Sequence, residues 1–134
     1  MNREKLDRRV RTTRKLLRQG LFQLLSEKRL RDITVKELCE RVDVNRGTFY
    51  LHYHDVYDLF SQIEEEIYHE IKSSLQRHEP GDFGDRKKVF PIFAEIFDYL
   101  VENYQICAVL LGENRDQAFF DRLTNIGRTD IVSS

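Results

Sequence analysis

Turn-making residues are scarce in this 134-residue sequence, which has six glycines and two prolines, about half the usual share. A chain so poor in breakers cannot close the many tight turns of a β fold, so long helices are expected. No run approaches the roughly 20 apolar residues of a membrane span. The first 17 residues carry Arg3, Lys5, Arg8, Arg9, Arg11, Arg14 and Lys15 but no apolar centre. A signal peptide is therefore not expected, and the expected location is the cytoplasm, with no membrane partner. The two cysteines, Cys39 and Cys107, show no CxxC or Cys/His spacing, so neither a zinc site nor a disulfide framework is suggested. Catalytic signatures are missing too: there is no GxSxG, phosphate-cradling loop, HExxH or dinucleotide fingerprint. No enzyme activity, catalytic residue, metal or cofactor is expected.

Charge is abundant, at 34% of residues, and its net value of −1 conceals an uneven distribution. Residues 1–54 hold 14 Lys and Arg against 7 Asp and Glu, whereas residues 55–134 hold 8 against 16. Such asymmetry points to nucleic-acid or membrane contact by the basic half. It also fits two solvated helical surfaces of opposite sign.

Apolar periodicity divides the chain into helices. Val10, Leu17, Leu21, Leu24 and Leu25 form one stripe of a helix over 8–28, with Leu16 and Phe22 outside it. The sequence Thr34-Val-Lys-Glu37 is a capping box that starts a short helix running to about Val42. Asp43 tolerates a left-handed turn, Asn45 can cap a helix from Arg46 to about Tyr53, and Asp55 can cap a third. Two short helices joined by a tight turn make a helix-turn-helix. The helix from Asp55 to about His78 has a stripe from Val56 to Leu75, with Glu64, Glu65, Glu66 and Glu70 mostly toward solvent. A loop over 79–85 precedes a helix over 88–104, in which Pro91 is tolerable only within the first turn. Its broad apolar band is Val89, Ile92, Phe93, Ile96, Phe97, Leu100, Val101 and Tyr104. Short helices over 105–111, ending at Gly112, and 116–126 complete the chain. The expected fold is all-α, with a head over 1–54 and a connecting helix plus a C-terminal helical region over 55–134.

A helix-turn-helix enters the DNA major groove with the N-terminus of its second helix foremost, so early residues meet base edges and flanking ones meet phosphates. Arg46 can pair with guanine O6 and N7, and Asn45 offers an amide to adenine. Thr48, Tyr50, His52 and Tyr53 supply donors to phosphates, and Leu51 suits a thymine methyl.

The run Leu38-Cys-Glu-Arg-Val-Asp-Val-Asn-Arg-Gly-Thr-Phe-Tyr-Leu-His-Tyr-His-Asp55 follows the helix over 14–27 and the Ile33-Thr-Val35 entry. Together these resemble the DNA-binding head of the TetR family of transcriptional regulators, over about residues 10–70. The resemblance implies DNA contacts from Thr34 and Lys36 on the first helix of the motif and from Asn45, Arg46, Thr48, Tyr50, His52 and Tyr53 on the second. Val44 and Phe49 are implied as core. It also implies a homodimeric regulator, usually a repressor, on a pseudo-palindromic double-stranded operator, modulated by a small-molecule or protein effector at the C-terminal domain. Three positions depart from the family: Asp43 replaces a turn glycine, Arg29 a helix-ending glycine, and Val56 a phosphate-binding lysine. The family's plan has further helices, the last two forming the dimer interface, so the chain reads as a shortened member or a partial chain.

The same analogy offers the C-terminal phenylalanines Phe83, Phe90, Phe93, Phe97, Phe119 and Phe120 as the lining of an effector pocket, although phenylalanines at helical spacing are more often plain core. Phe93, Phe97 and Tyr104 are the candidate effector-binding residues. Cys39 occupies a site needing a small residue where two helices cross, which favours a buried, inert thiol. A rival from another class is a helical protein-interaction module whose basic head binds an acidic partner; another is a regulator or activator without a small-molecule effector.

Overall fold

The computed structural model describes residues 2–77, 81, 84–112 and 116–127. Among them the regular structure is entirely helical: α1 (Arg3–Leu25), α2 (Val35–Val42), α3 (Arg46–His52), α4 (Val56–Gln76), α5 (Arg86–Glu102), α6 (Tyr104–Leu111) and α7 (Gln117–Gly127), with a 3₁₀ turn at Leu30–Asp32. The chain forms two compact units, Met1–Ile63 and Glu64–Ser134. His78, Phe83 and most of the loop expected over 79–85 lie outside the described residues.

In the first unit, α1 begins and ends earlier than the apolar stripe predicts. Asn2 caps its start, accepting the Glu4 N–H at 2.9 Å. At its end the Ser26 hydroxyl donates to the Gln23 carbonyl at 2.6 Å, offering the backbone an alternative to another helical turn. Arg29 is extended, and the 3₁₀ turn carries the chain to Ile33. Leu17, Leu21, Leu24, Leu38, Phe49 and Leu59 are fully buried, each stabilising the unit by about 1.5–3 kcal/mol. Phe22, outside the stripe, is buried, whereas Leu16 is exposed.

Cys39 is buried. The helix α1 also meets α2 at Gly20, where there is no room for a side chain, a demand that periodicity did not reveal. A Cβ there would sit 2.5 Å from Val42 Cγ1 and 3.0 Å from Leu38 Cδ1.

In the second unit, Leu75, Ile92 and Ile126 form a buried cluster flanked by Tyr68, Ile71, Ile96 and Leu123. The helix α5 starts at Arg86, two residues before its expected start, because Asp85 accepts the Lys87 N–H at 2.9 Å. Pro91 consequently falls in the second turn, where its missing N–H removes the bond that the Lys87 carbonyl would accept. Only Ile92 of the expected apolar band is fully buried, while Phe93, Phe97, Val101 and Tyr104 are exposed. At Gly112 a Cβ would meet the Ala108 carbonyl oxygen at 2.6 Å, so glycine ends α6 through close approach and not through a left-handed turn.

The α4 glutamates divide. Glu66 and Glu70 are exposed, and Glu65 pairs with Arg122 of α7. Glu64 departs from the expected solvated face, being buried with its Oε2 unpartnered. Burial, reinforced by the neighbouring Asp116 carboxylate, which accepts a hydrogen bond from the protonated Glu64 and repels its charged form, pushes it up to about 8. Asp116 in turn caps α7, accepting N–H bonds from Ala118 at 3.1 Å and Phe119 at 3.3 Å.

Candidate nucleic-acid interface

The helix-turn-helix is assembled by three local devices. Thr34 Oγ1 accepts the Glu37 N–H at 3.0 Å and starts α2. The reciprocal half of the capping box is diverted, since the Glu37 carboxylate takes the Lys28 ammonium at 2.5 Å. Together with the two-pronged Arg41–Glu27 pair at 2.9 and 3.1 Å, this ties α2 to the end of α1. Asp43 then turns the chain in the left-handed region, φ 54° and ψ 48°, and the Val44 N–H donates to the Cys39 carbonyl at 3.0 Å. Finally Asn45 Oδ1 accepts the Gly47 N–H at 2.7 Å and starts α3. Position 47 suits glycine because a Cβ would lie 3.1 Å from that capping oxygen.

The helix α3 is anchored by Phe49, which has no exposed surface. Tyr50 stands edge-on to it, with ring centroids 5.4 Å apart, and Tyr53 packs at 5.6 Å. These contacts fix which side chains face outward. Thr34, Lys36, Asn45 and Arg46 are exposed, and Thr48 and His52 are half-buried. Tyr50 is 57% exposed and Leu51 83%, a large apolar exposure for a seven-residue helix. Tyr53 is buried, so its ring belongs to the core of the unit. A shallow depression of about 560 Å³ brings Lys36, Asn45 and Arg46 together, beside Cys39, Glu40, Asp43 and Val44.

Electrostatics refine these roles. Burial and the charge of Arg14 hold His52 below the ordinary imidazole value, so at neutral pH it offers a neutral N–H and not a cation. Burial pushes the Cys39 thiol up against the opposing charge of Arg46, which leaves it little thiolate to react. Val56, at the third departure, is buried. Beside it Asp55 Oδ1 accepts the Asp58 N–H at 2.7 Å, while Asp58 accepts from the His54 backbone at 2.8 Å. The His54 bond and the Gln62 amide hold the Asp58 carboxyl below its usual range.

No family model matches the chain. The structure of a transcriptional regulator of the TerR/AcrR family from Aquifex aeolicus VF5 superposes with a TM-score of 0.65 at 18% identity, over 87% of this chain and 67% of that one. The chain has the fold of a TetR/AcrR-type regulator. That likeness in the TetR/AcrR architecture extends well beyond the head, because 87% of the chain includes much of the second unit. A 51-residue stretch is 31% identical to an uncharacterised HTH-type transcriptional regulator, YxbF, of Bacillus subtilis (strain 168). It covers 38% of this chain and 13% of the length of that relative.

The candidate effector residues do not converge. Phe93 and Phe97 line an open depression on the outer side of α5 with Phe90, Ala94, Ile96, Asp98 and Leu100. Tyr104 is exposed at the start of α6. A separate, smaller cavity of about 210 Å³ lies among α4, α5, α6 and α7, where Ile67, Leu100, Cys107, Phe119, Phe120 and Thr124 are among its walls. Sequence reasoning placed Phe119 and Phe120 in the phenylalanine group but gave no sign that they, and not Phe93 or Phe97, meet Cys107 around a void. That convergence depends on tertiary packing across four helices.

Proposed function

We propose that the chain is a sequence-specific DNA-binding transcriptional regulator, acting as a repressor in the cytoplasm. Residues 1–54 form the DNA-binding head and 55–134 the connecting helix and regulatory region. The observation that carries this reading is the α2–Asp43–α3 geometry, which presents Arg46, Tyr50 and Leu51 outward from a helix anchored by Phe49. Arg46 reads a base edge, with Asn45 beside it, while Thr34, Lys36, Thr48, Tyr50 and His52 hold phosphates; Tyr53, its ring buried, offers only its hydroxyl to one. The basic surplus of residues 1–54 supports the reading, as does the fold of the Aquifex aeolicus regulator.

The operator is a pseudo-palindrome bound by two heads spaced about 34–36 Å apart. A small effector in the α4–α7 cavity modulates binding through a coupling of about 1–3 kcal/mol. The cavity's 210 Å³ is below the ~300–1,000 Å³ of a drug-sized site, which calls for a compact apolar molecule. The Thr124 hydroxyl already donates to the Asp121 carbonyl at 3.0 Å, so toward a ligand it acts as an acceptor.

A salt titration on duplex DNA tests the reading. Neutralising Z phosphates gives a log–log slope near −0.9Z, and Arg46→Ala costs about 1–3 kcal/mol while relaxing preference at one operator position. Absence of binding at low salt, or binding flat across salt, overturns the proposal in favour of a protein-interaction module. A uniform loss across all sequences in Arg46→Ala makes that residue a phosphate contact.

A further inference from the structure

The helix-turn-helix carries no net charge. Residues 34–54 hold three cations, Lys36, Arg41 and Arg46, against three anions, Glu37, Glu40 and Asp43, and Arg41 is already paired with Glu27. Binding to duplex DNA draws its sequence-independent strength from cations that displace counterions from phosphates. A neutral reading element therefore leaves that strength to another part of the head. Residues 3–16 hold seven cations against Glu4 and Asp7, so five of the seven surplus charges of residues 1–54 lie on the first part of α1.

That part of α1 covers no core. No residue of the helix before Leu17 is buried, and residues 3–9 are all exposed, so about 21 Å of helix lies on the surface of the first unit. Arg8, Arg11 and Lys15 follow one another at i, i+3 and i+7, with Arg14 beside them, and share one face. All four are exposed. Like charges at this spacing repel, and an anionic surface laid against them relieves the repulsion. The face also has a definite place, because Arg14 lies close enough to His52, the last residue of α3, for its charge to act on that ring. It therefore adjoins the trailing end of the helix that reads bases. From Arg8 to Lys15 it is about 10 Å long, a length over which duplex DNA carries about six phosphate charges.

We propose that this face of α1 is a second DNA-contacting surface, on which Arg8, Arg11, Arg14 and Lys15 bind backbone phosphates of the duplex beside the base pairs that α3 reads. The surface deepens the DNA-binding reading and rests on it. The two helices divide the work: α3 supplies sequence preference, and α1 supplies affinity common to all sequences.

Binding of the 134-residue chain to duplex DNA as a function of salt tests it. Two probes are used: a duplex that the chain itself selects from a random library, and a shuffled duplex of the same length and composition. The triple variant Arg8→Gln, Arg11→Gln, Lys15→Gln is expected to lower the log–log slope by about 2.7, at ~0.9 per phosphate, and to weaken both duplexes by the same factor. Arg14 is left in place because it adjoins α3. Glutamine is a good helix former and the three positions are exposed, so helix content by circular dichroism stays unchanged. Arg46→Ala narrows the difference between the two duplexes instead. A control variant, Arg86→Gln, Lys87→Gln, Lys88→Gln, removes as much charge from the second unit and leaves the slope as it was. A fall of less than about 0.9 in the α1 variant overturns the proposal, as does an equal fall in the control or a loss confined to the selected duplex. A parent chain that binds neither duplex at low salt brings down the DNA reading itself. An unaltered slope in the α1 variant of a chain that binds both strikes this proposal alone.

Discussion

Gly20 carries a geometric demand unrelated to backbone freedom. It lies inside α1, where exchanging glycine for alanine ordinarily gains about 0.5–1 kcal/mol. Here the added carbon would press on Val42 Cγ1 at 2.5 Å, and a β-branched side chain inside a helix has one strongly preferred rotamer with little room to yield. Overpacking of this kind costs about 1–3 kcal/mol. Gly20→Ala is therefore expected to lower the stability of the chain in urea unfolding, and a gain would show that α1 and α2 slide apart freely. The same scale shows what a sequence discloses readily. Thr34, Asp43 and Asn45 act on backbone groups within three residues or on their own dihedral angles, so their roles are written locally. Gly20 acts on Val42, 22 positions away, and nothing in its neighbourhood announces that.

At the scale of elements, two helices show where periodicity stops being informative. The apolar band of α5 is broad enough to face two directions, and a 3.6-residue period cannot say which edge is covered. The core side takes Ile92, while Phe93 and Phe97 remain outside. The solvent-facing reading of α4 fails only at Glu64, because its surroundings are completed by Asp116, from the segment preceding α7. That pair gives a pH dependence. Asp116 and Glu65 favour the protonated form of Glu64 and Arg122 opposes them, but burial dominates, moving the group from 4.5 to about 8. Between those values the folded chain keeps a proton that the unfolded chain has released, so stability declines as pH rises from about 5 to 8 and then levels. Glu64→Gln is expected to flatten the dependence of melting temperature on pH over that range. An unchanged slope would place the titrating group elsewhere.

For the molecule as a whole, the division of charge acquires a spatial meaning. The surplus of cations belongs to residues 1–54 and the surplus of anions to 55–134, while the compact units are Met1–Ile63 and Glu64–Ser134. Helical class and the helix-turn-helix were legible because they rest on caps, turn chemistry and strong apolar stripes. The 210 Å³ cavity was not, because Ile67, Leu100, Cys107 and Phe119 come from four helices and meet only when all four are placed.

The two cysteines, few as they are, fall one in each unit, and both are buried. A thiol reagent in excess therefore acts as a pair of clocks: Cys39 is alkylated when the first unit opens and Cys107 when the second does. Mass spectrometry of the two peptides reads both rates in one sample. Because Cys107 also lines the cavity, a small apolar compound that occupies it is expected to slow that clock and leave the Cys39 rate unchanged, which makes the protein its own screen for effectors.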